Sequence, residues 1–308
     1  MTPDASLAAL SNTFFSVSVA LYSLAVVAFC AQLAFGRRPA RELVAAGDGA
    51  GTRTAPEPEQ GRRWGVAALA LTVLGAGAHA AVLVTRGLAT DRLPWGNMYE
   101  FATATVLVAV VAYLALAGRS PVLRHIGVFV LAPVVLSLVL IGLFLYAAAG
   151  PLVAALRSSW LAVHESTAIL GFGIFFVSGI ASALYLVRSR SGAAGRGGIL
   201  SRLPSAATLD RVAHRTAVFG FPIWTFAVIA GAIWAESAWG RFWGWDPKET
   251  WAFIAWVVYA AYLHARTTAG WRGRPAAWVN VVGLAVMVFN LLFVNMVSTG
   301  LHSYGGVN

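Results

Sequence analysis

The eighteen residues from Trp234 to Trp251 hold five of the chain's twelve tryptophans, together with Arg241, Asp246, Lys248 and Glu249. Lys248 is the only lysine, beside 21 arginines. Tryptophan gathers at membrane surfaces because its ring is apolar while its N–H needs a partner, but anchoring rarely takes so many. A flat apolar ligand with an acidic edge suits such a stretch. Trp239, Trp243 and Trp245 would stack on its face, and Arg241 and Lys248 would meet its carboxylates. Six histidines supply metal-ligating nitrogens: His79, His125, His164, His214, His264 and His302. Two imidazoles facing an aromatic ledge point to axial ligation of a haem iron. Zinc is the competing reading, but it wants three or four clustered Cys, His or carboxylate ligands. No His-x-x-x-His or His-x-x-Glu spacing occurs, and the single cysteine, Cys30, lies in an apolar run. Asp246-Pro247-Lys248-Glu249 also reads as a helix start, with Asp at the N-cap, Pro at the first helical position and Glu at the third. On that reading Asp246 and Glu249 cap a helix rather than touch a ligand.

The elements that must position these residues are membrane spans. Of 308 residues 59% are apolar and only 11% charged, the composition of a polytopic membrane protein rather than a soluble one. Eight apolar runs of spanning length are legible, at 14–35, 64–85, 98–117, 125–148, 161–187, 214–235, 249–265 and 276–297. The expected fold is therefore one all-α integral membrane domain over 1–308, with eight transmembrane helices and no internal repeat. The loops alternate in charge. Those at 36–63, 118–124, 188–215 and 265–274 carry 17 of the 22 basic residues, and the other side carries five. The positive-inside rule places the first set in the cytoplasm and both termini outside. Segment 234–251 then lies outside, between spans six and seven. This placement accounts for the net charge of +10 without a nucleic-acid partner. Segments 36–63 and 188–213 read as flexible, polar cytoplasmic loops. No basic residue precedes the first apolar run, so nothing reads as a cleavable signal. Without a CxxC the chain cannot carry out dithiol exchange alone.

Topology sorts the histidines by depth. His164 opens the fifth span on the outer side and His302 follows the eighth, so both lie at the level of the tryptophans. Either alone would serve equally as an interfacial hydrogen-bonding residue; their shared level makes them a candidate pair. His264 ends the seventh span, about 22 Å along a helix from Glu249, on the cytoplasmic side. Glu165 points about 100° away from His164 on a helix and is expected to be an interfacial polar residue. His79 lies inside the second span, where an ionisable residue is a functional candidate by default, but no partner at its depth is legible. His125 and His214 sit beside arginines and are expected on the solvated surface. Pro94 and Trp95 would shape an interfacial turn, with Glu100 capping the next span.

The stretch WAESAWGRFWGWDPKETW resembles the tryptophan-rich WWD signature of haem-handling proteins. Its DPKETW ending is similar to that of the CcsA/ResC family, often called CcsB in actinobacteria, the integral-membrane component of system II cytochrome c biogenesis. WLAVHES at 160–166 looks like the family's WLxxHV segment, with Glu165 where Val is usual. LDRVAHRTAVFGFPIWT at 209–225 looks like its LDxLSYR…GFPxLT segment, with His214 where tyrosine is common. YLHAR, GLHSYG and PWGNMYEF resemble three further blocks. The resemblance implies that His164 and His302 are external axial ligands and that His264 is a ligand at an inner haem site. The ligand opposite His264 would come from a CcsB/ResB-type membrane partner, and the departure at His214 sets that residue aside. The implied cargo is haem b, the other partners are apocytochrome c and a thiol-reducing protein, and the location is the bacterial plasma membrane. The implied function is the haem-handling subunit of a cytochrome c synthase, which moves haem outward and presents it to the CxxCH of apocytochrome c. A haem exporter without attachment activity, or a structural membrane subunit, are the alternatives. Whether this chain itself catalyses attachment stays open.

Overall fold

The computed structural model describes residues 3–36, 59–152, 156–190, 203–268, 270–297 and 300–302. Eight α-helices occur among them: α1 (Ala5–Phe35), α2 (Glu59–Thr90), α3 (Met98–Arg119), α4 (Gly127–Leu140), α5 (Ser159–Arg190), α6 (Ala206–Trp239), α7 (Pro247–Thr268) and α8 (Arg274–Val297). A 3-10 turn, Pro121–Ile126, leads into α4, and a π-helical turn, Ile141–Leu145, continues it. In hydrocarbon every backbone N–H and C=O must be bonded within its own segment, so long apolar runs become helices. The caps are legible side chains. Asp4 Oδ1 accepts from the Ser6 N–H at 2.8 Å, Asn97 Oδ1 from the Glu100 N–H at 2.9 Å, and Ser205 Oγ from the Thr208 N–H at 3.2 Å. The expected loops at 36–63 and 188–213 fall largely at 37–58 and 191–202, outside the described residues.

Among the described residues seven helical segments are long and apolar enough to cross a membrane: α1, α2, α3, Pro121–Leu145 (α4 with its flanking turns), α5, α6 and α8. The exception is α7, which the sequence reading counts as a span. It is rich in polar-tipped rings (Trp251, Trp256, Tyr259, Tyr262 and His264), which lower its apolarity although its length matches α3. The chain is a multi-pass membrane protein.

The helices pack in two groups. Tyr22, Phe29, Tyr113 and Leu131 centre a cluster in α1–α4, while Phe175, Trp224, Tyr259 and Met287 centre one in α5–α8. Antiparallel α1 and α2 meet where the Asp4 N–H donates to the Ala89 carbonyl at 2.9 Å. Within the second group Phe175 stacks on Tyr259 with ring centroids 3.6 Å apart. Asn280 of α8 donates to Ser178 Oγ and Ser182 Oγ of α5, each at 2.8 Å. Such polar contacts hold helices together where lipid supplies no hydrophobic drive. Helix α3 packs on α5 and joins the groups. The starts of α3, α5 and α7 come together with the end of α6 and the segment after α8, whose residues line common cavities. At the other end the Arg266–Asp210 ion pair, 2.5 Å, ties the last turn of α7 to the first of α6.

Candidate functional site

The tryptophan-rich stretch closes α6 and opens α7. Gly240 adopts φ 71, the left-handed conformation that ends a helix, and donates its N–H to the Glu236 carbonyl at 2.9 Å. The chain re-enters a helix at Pro247 through the expected capping box. Asp246 Oδ1 accepts from the Lys248 N–H at 2.9 Å, and Glu249 Oε2 accepts from the Asp246 N–H at 3.1 Å.

Asp246 also reaches beyond its own helix. Its Oδ1 lies 2.9 Å from His302 Nδ1, and its Oδ2 accepts from the Leu301 N–H at 2.8 Å. One carboxylate therefore straps the segment after α8 to the start of α7. Burial pushes this carboxyl up, but the hydrogen bonds from His302 and from the Lys248 and Leu301 N–H groups outweigh it and hold it below the usual carboxylate range. It is an anion at neutral pH. A Cβ at position 300 would stand 2.6 Å from Asp246 Oδ2, so the strap closes because that residue is glycine.

His164 faces α6 from the second turn of α5. Its Nδ1 donates to the Ala227 carbonyl at 2.9 Å, and its ring stacks on Trp234 with centroids 5.8 Å apart and 8° between planes. Gly231 permits that approach, since a Cβ there would lie 2.7 Å from His164 Cε1. Trp234 also meets the His302 ring edge-on at 5.7 Å, and Trp239 meets it at 4.9 Å. The two imidazoles thus share one buried indole. In each, an oxygen engages Nδ1, which fixes the tautomer and makes Nε2 the nitrogen a metal would take.

Two cavities are lined by both histidines. One of about 100 Å³ is lined by Trp95, His164, Glu165, Lys248 and His302 among others. The other, about 50 Å³, is lined by His164, Trp234, Trp239, Trp243, Lys248 and His302. His164, Lys248 and His302 are common walls. Among the described residues no group of three or more His, Cys, Asp or Glu that could hold a metal ion occurs.

The profile of the family described as cytochrome C assembly protein matches residues 95–302, which include every one of these side chains. The chain belongs to the cytochrome c assembly protein family. It is 35% identical over 296 residues to the cytochrome c biogenesis protein CcsA of Gloeobacter violaceus, covering 75% of this chain and 86% of that one. With the CcsA protein of Guillardia theta the identity is 35% over 263 residues, covering 77% and 85%. With that of Synechococcus sp. strain RCC307 it is 43% over 179 residues, covering 51% and 58%. The solved structure of the cytochrome c haem lyase CcmF aligns with a TM-score of 0.64 at 19% identity, over 92% of this chain and 46% of that one, and shows a shared fold.

Within this family member the expected site residues divide by position. His164, His302, Trp239, Trp243 and Lys248 come together around the two cavities. Lys248 Nζ donates to the Asn290 carbonyl at 3.3 Å. Arg241 turns instead to Glu249, 3.3 Å away, with its guanidinium 5.7 Å from the Trp239 ring centre. Trp245 lines neither cavity. It is 64% exposed, takes φ 57 and packs edge-on against Trp243 and Phe253. Asp246 acts on His302 rather than on the cavity space. His264 stands exposed at the opposite end of α7, remote from the other two. Glu165 lines the larger cavity with His164, contrary to its expected interfacial role. His79 has the partner the sequence hides, because Tyr22 lies on another helix with its hydroxyl 3.3 Å from Nδ1. His214 is half-buried against Tyr262 rather than solvated.

Proposed function

We propose that this protein is the haem-handling membrane subunit of a cytochrome c synthase, and that it holds haem b as cargo between His164 and His302. The observation that carries the reading is that both imidazoles are held through Nδ1, His164 by the Ala227 carbonyl and His302 by the Asp246 carboxylate. Two histidines, one on α5 and one in the turn after α8, line common cavities, and each is oriented through Nδ1 by an oxygen acceptor, the habit of metal-ligating imidazoles. Trp239 and Trp243 would face the porphyrin, and Lys248 is the cation best located for a propionate, since Arg241 is balanced by Glu249. The cavities are small beside the roughly 300–1,000 Å³ of ordinary ligand pockets, so admitting the plate requires their shared walls to part.

The chemistry presented there is thioether formation. Each thiol of an apocytochrome CxxCH adds across a haem vinyl group, sulfur to one carbon and hydrogen to the other, with no net redox change. The chain's contribution is positioning and control of the iron's ligation. The 17:5 distribution of basic residues supports an outward-facing site with both termini external. It also puts His264 on the cytoplasmic side, as one ligand of an inner haem station completed by a CcsB/ResB-type partner. The bacterial plasma membrane is the setting this reading requires.

The test is the haem spectrum of the protein purified with its partner. A six-coordinate, low-spin haem is expected, lost or converted to high spin in His164→Ala and in His302→Ala, with added imidazole restoring each. Both alanine variants keeping the wild-type spectrum and full cytochrome c maturation would sink the assignment.

A further inference from the structure

The two imidazoles are held by acceptors of different charge. His302 Nδ1 donates to the Asp246 carboxylate at 2.9 Å, and that carboxylate is only 4% exposed and is fixed by the Leu301 and Lys248 N–H groups. His164 Nδ1 donates at the same 2.9 Å to a neutral carbonyl, that of Ala227. A hydrogen bond to a carboxylate draws the Nδ1 proton away and leaves electron density on Nε2, while a carbonyl does so far less. Ring packing does not offset this. Trp234 touches both rings, and Trp239 adds a further contact to His302.

We infer that the two ligands are unequal: His302, backed by Asp246, is the retained ligand, and His164 is the one that an incoming histidine of apocytochrome c replaces. This rests on the haem-handling reading above and specifies the order of events at that site. In the exchange the iron–Nε2 bond to His164 breaks and a bond to the incoming imidazole forms. No electrons are transferred, and the Nδ1 proton of His164 stays on Nδ1, donated to the Ala227 carbonyl. Asp246 is then a positioning residue: it acts through His302 and does not touch the iron.

The experiment uses the haem-loaded complex in detergent and compares His164→Ala, which leaves His302, with His302→Ala, which leaves His164. In the reduced state the iron–histidine stretching band in resonance Raman is expected at higher frequency in His164→Ala. Haem loss to an excess of apomyoglobin is expected to be slower there, by about tenfold or more. Adding Asp246→Asn should abolish the difference, and in the otherwise wild-type protein should raise the haem reduction potential. Adding Asp246→Glu should restore part of the difference. A merely structural role for Asp246 would move neither the band nor the potential. Equal or reversed bands, or an unshifted potential in Asp246→Asn, would overturn the ordering. If neither alanine variant holds haem, the potential of Asp246→Asn alone decides. Alanine variants that both keep the wild-type six-coordinate spectrum strike the ligand assignment itself, which is a different failure.

Discussion

A backbone carbonyl and an absent Cβ set the geometry of His164 as much as the imidazole does. The ring reaches the Ala227 oxygen only because Gly231 leaves room beside Cε1. Gly231→Ala adds helix propensity of roughly 1 kcal/mol but forces a clash that costs about 1–3 kcal/mol, so the net sign is unfavourable. Its expected signature is a lowered thermal midpoint together with weakened low-spin haem character. Gly77→Ala is the control, because a Cβ there meets nothing within 4 Å, and it should be neutral or slightly stabilising. A Gly231→Ala protein with wild-type spectrum and midpoint would show that His164 does not sit as described. These positions also mark what a sequence can reveal. His164 and His302 are legible because imidazole has a chemistry of its own. A carbonyl and a missing methyl have none, so Ala227 and Gly231 are invisible until α5 and α6 are paired. Glu165 escapes for another reason: helical angle alone sets it apart from His164, yet one cavity reaches both positions.

The turn between α2 and α3 shows how an element is fixed. Glu100, in the first turn of α3, is fully buried and accepts from Arg86 Nε at 2.7 Å, from Arg92 Nη1 at 2.7 Å and from the Gly96 N–H at 2.8 Å. Arg86 also donates to the Ala147 carbonyl, and Arg92 Nε to the Gly150 carbonyl at 3.0 Å. One carboxylate thereby gathers the end of α2, the turn and the exit from α4, and sets Trp95 as a cavity wall. The sequence reading gives Glu100 the helix cap, but Asn97 performs that task. Removing the negative charge leaves two enclosed guanidinium groups uncompensated, which costs about 3–5 kcal/mol for a buried pair. Glu100→Gln should therefore lower the thermal midpoint sharply, while Arg86→Met combined with Glu100→Leu should be milder. A Glu100→Gln protein that unfolds with the wild type would contradict the arrangement. Helix boundaries show a related limit of legibility. Hydropathy places the second and sixth spans at 64 and 214, whereas α2 and α6 begin at Glu59 and Ala206. Apolar runs mark where hydrocarbon begins, while caps such as Ser205 mark where the helix does.

At the scale of the whole molecule the family match begins at Trp95, so the α1–α2 hairpin lies upstream of the matched region. The hairpin nevertheless packs on α3 and α4 and buries Tyr22 against His79. The imidazoles and tryptophans of the candidate site belong to the other group, where α5, α6, α7 and the segment after α8 each bring one part, while Trp95 of the turn before α3 adds a wall to the larger cavity. No two consecutive helices contain it, which is why its assembly is hidden in the linear order although most of its side chains are recognisable.

The modest apolarity of α7 bears on how the chain reaches the bilayer during synthesis. A segment moves from the translocon into lipid when its own transfer is favourable, and the tryptophan- and tyrosine-rich α7 falls short of the apolarity that α6 and α8 reach. Helix α7 would then depend on a neighbour to leave the channel. Helix α8 is the natural escort, since the two pack together and Trp251 of α7 rests on Phe289 of α8 at 4.4 Å. A chain ending near residue 270 should leave α7 poorly integrated by protease protection, and extension through residue 297 should restore it. Full integration of the shorter chain would mean that α7 commits to the membrane before α8 has been made.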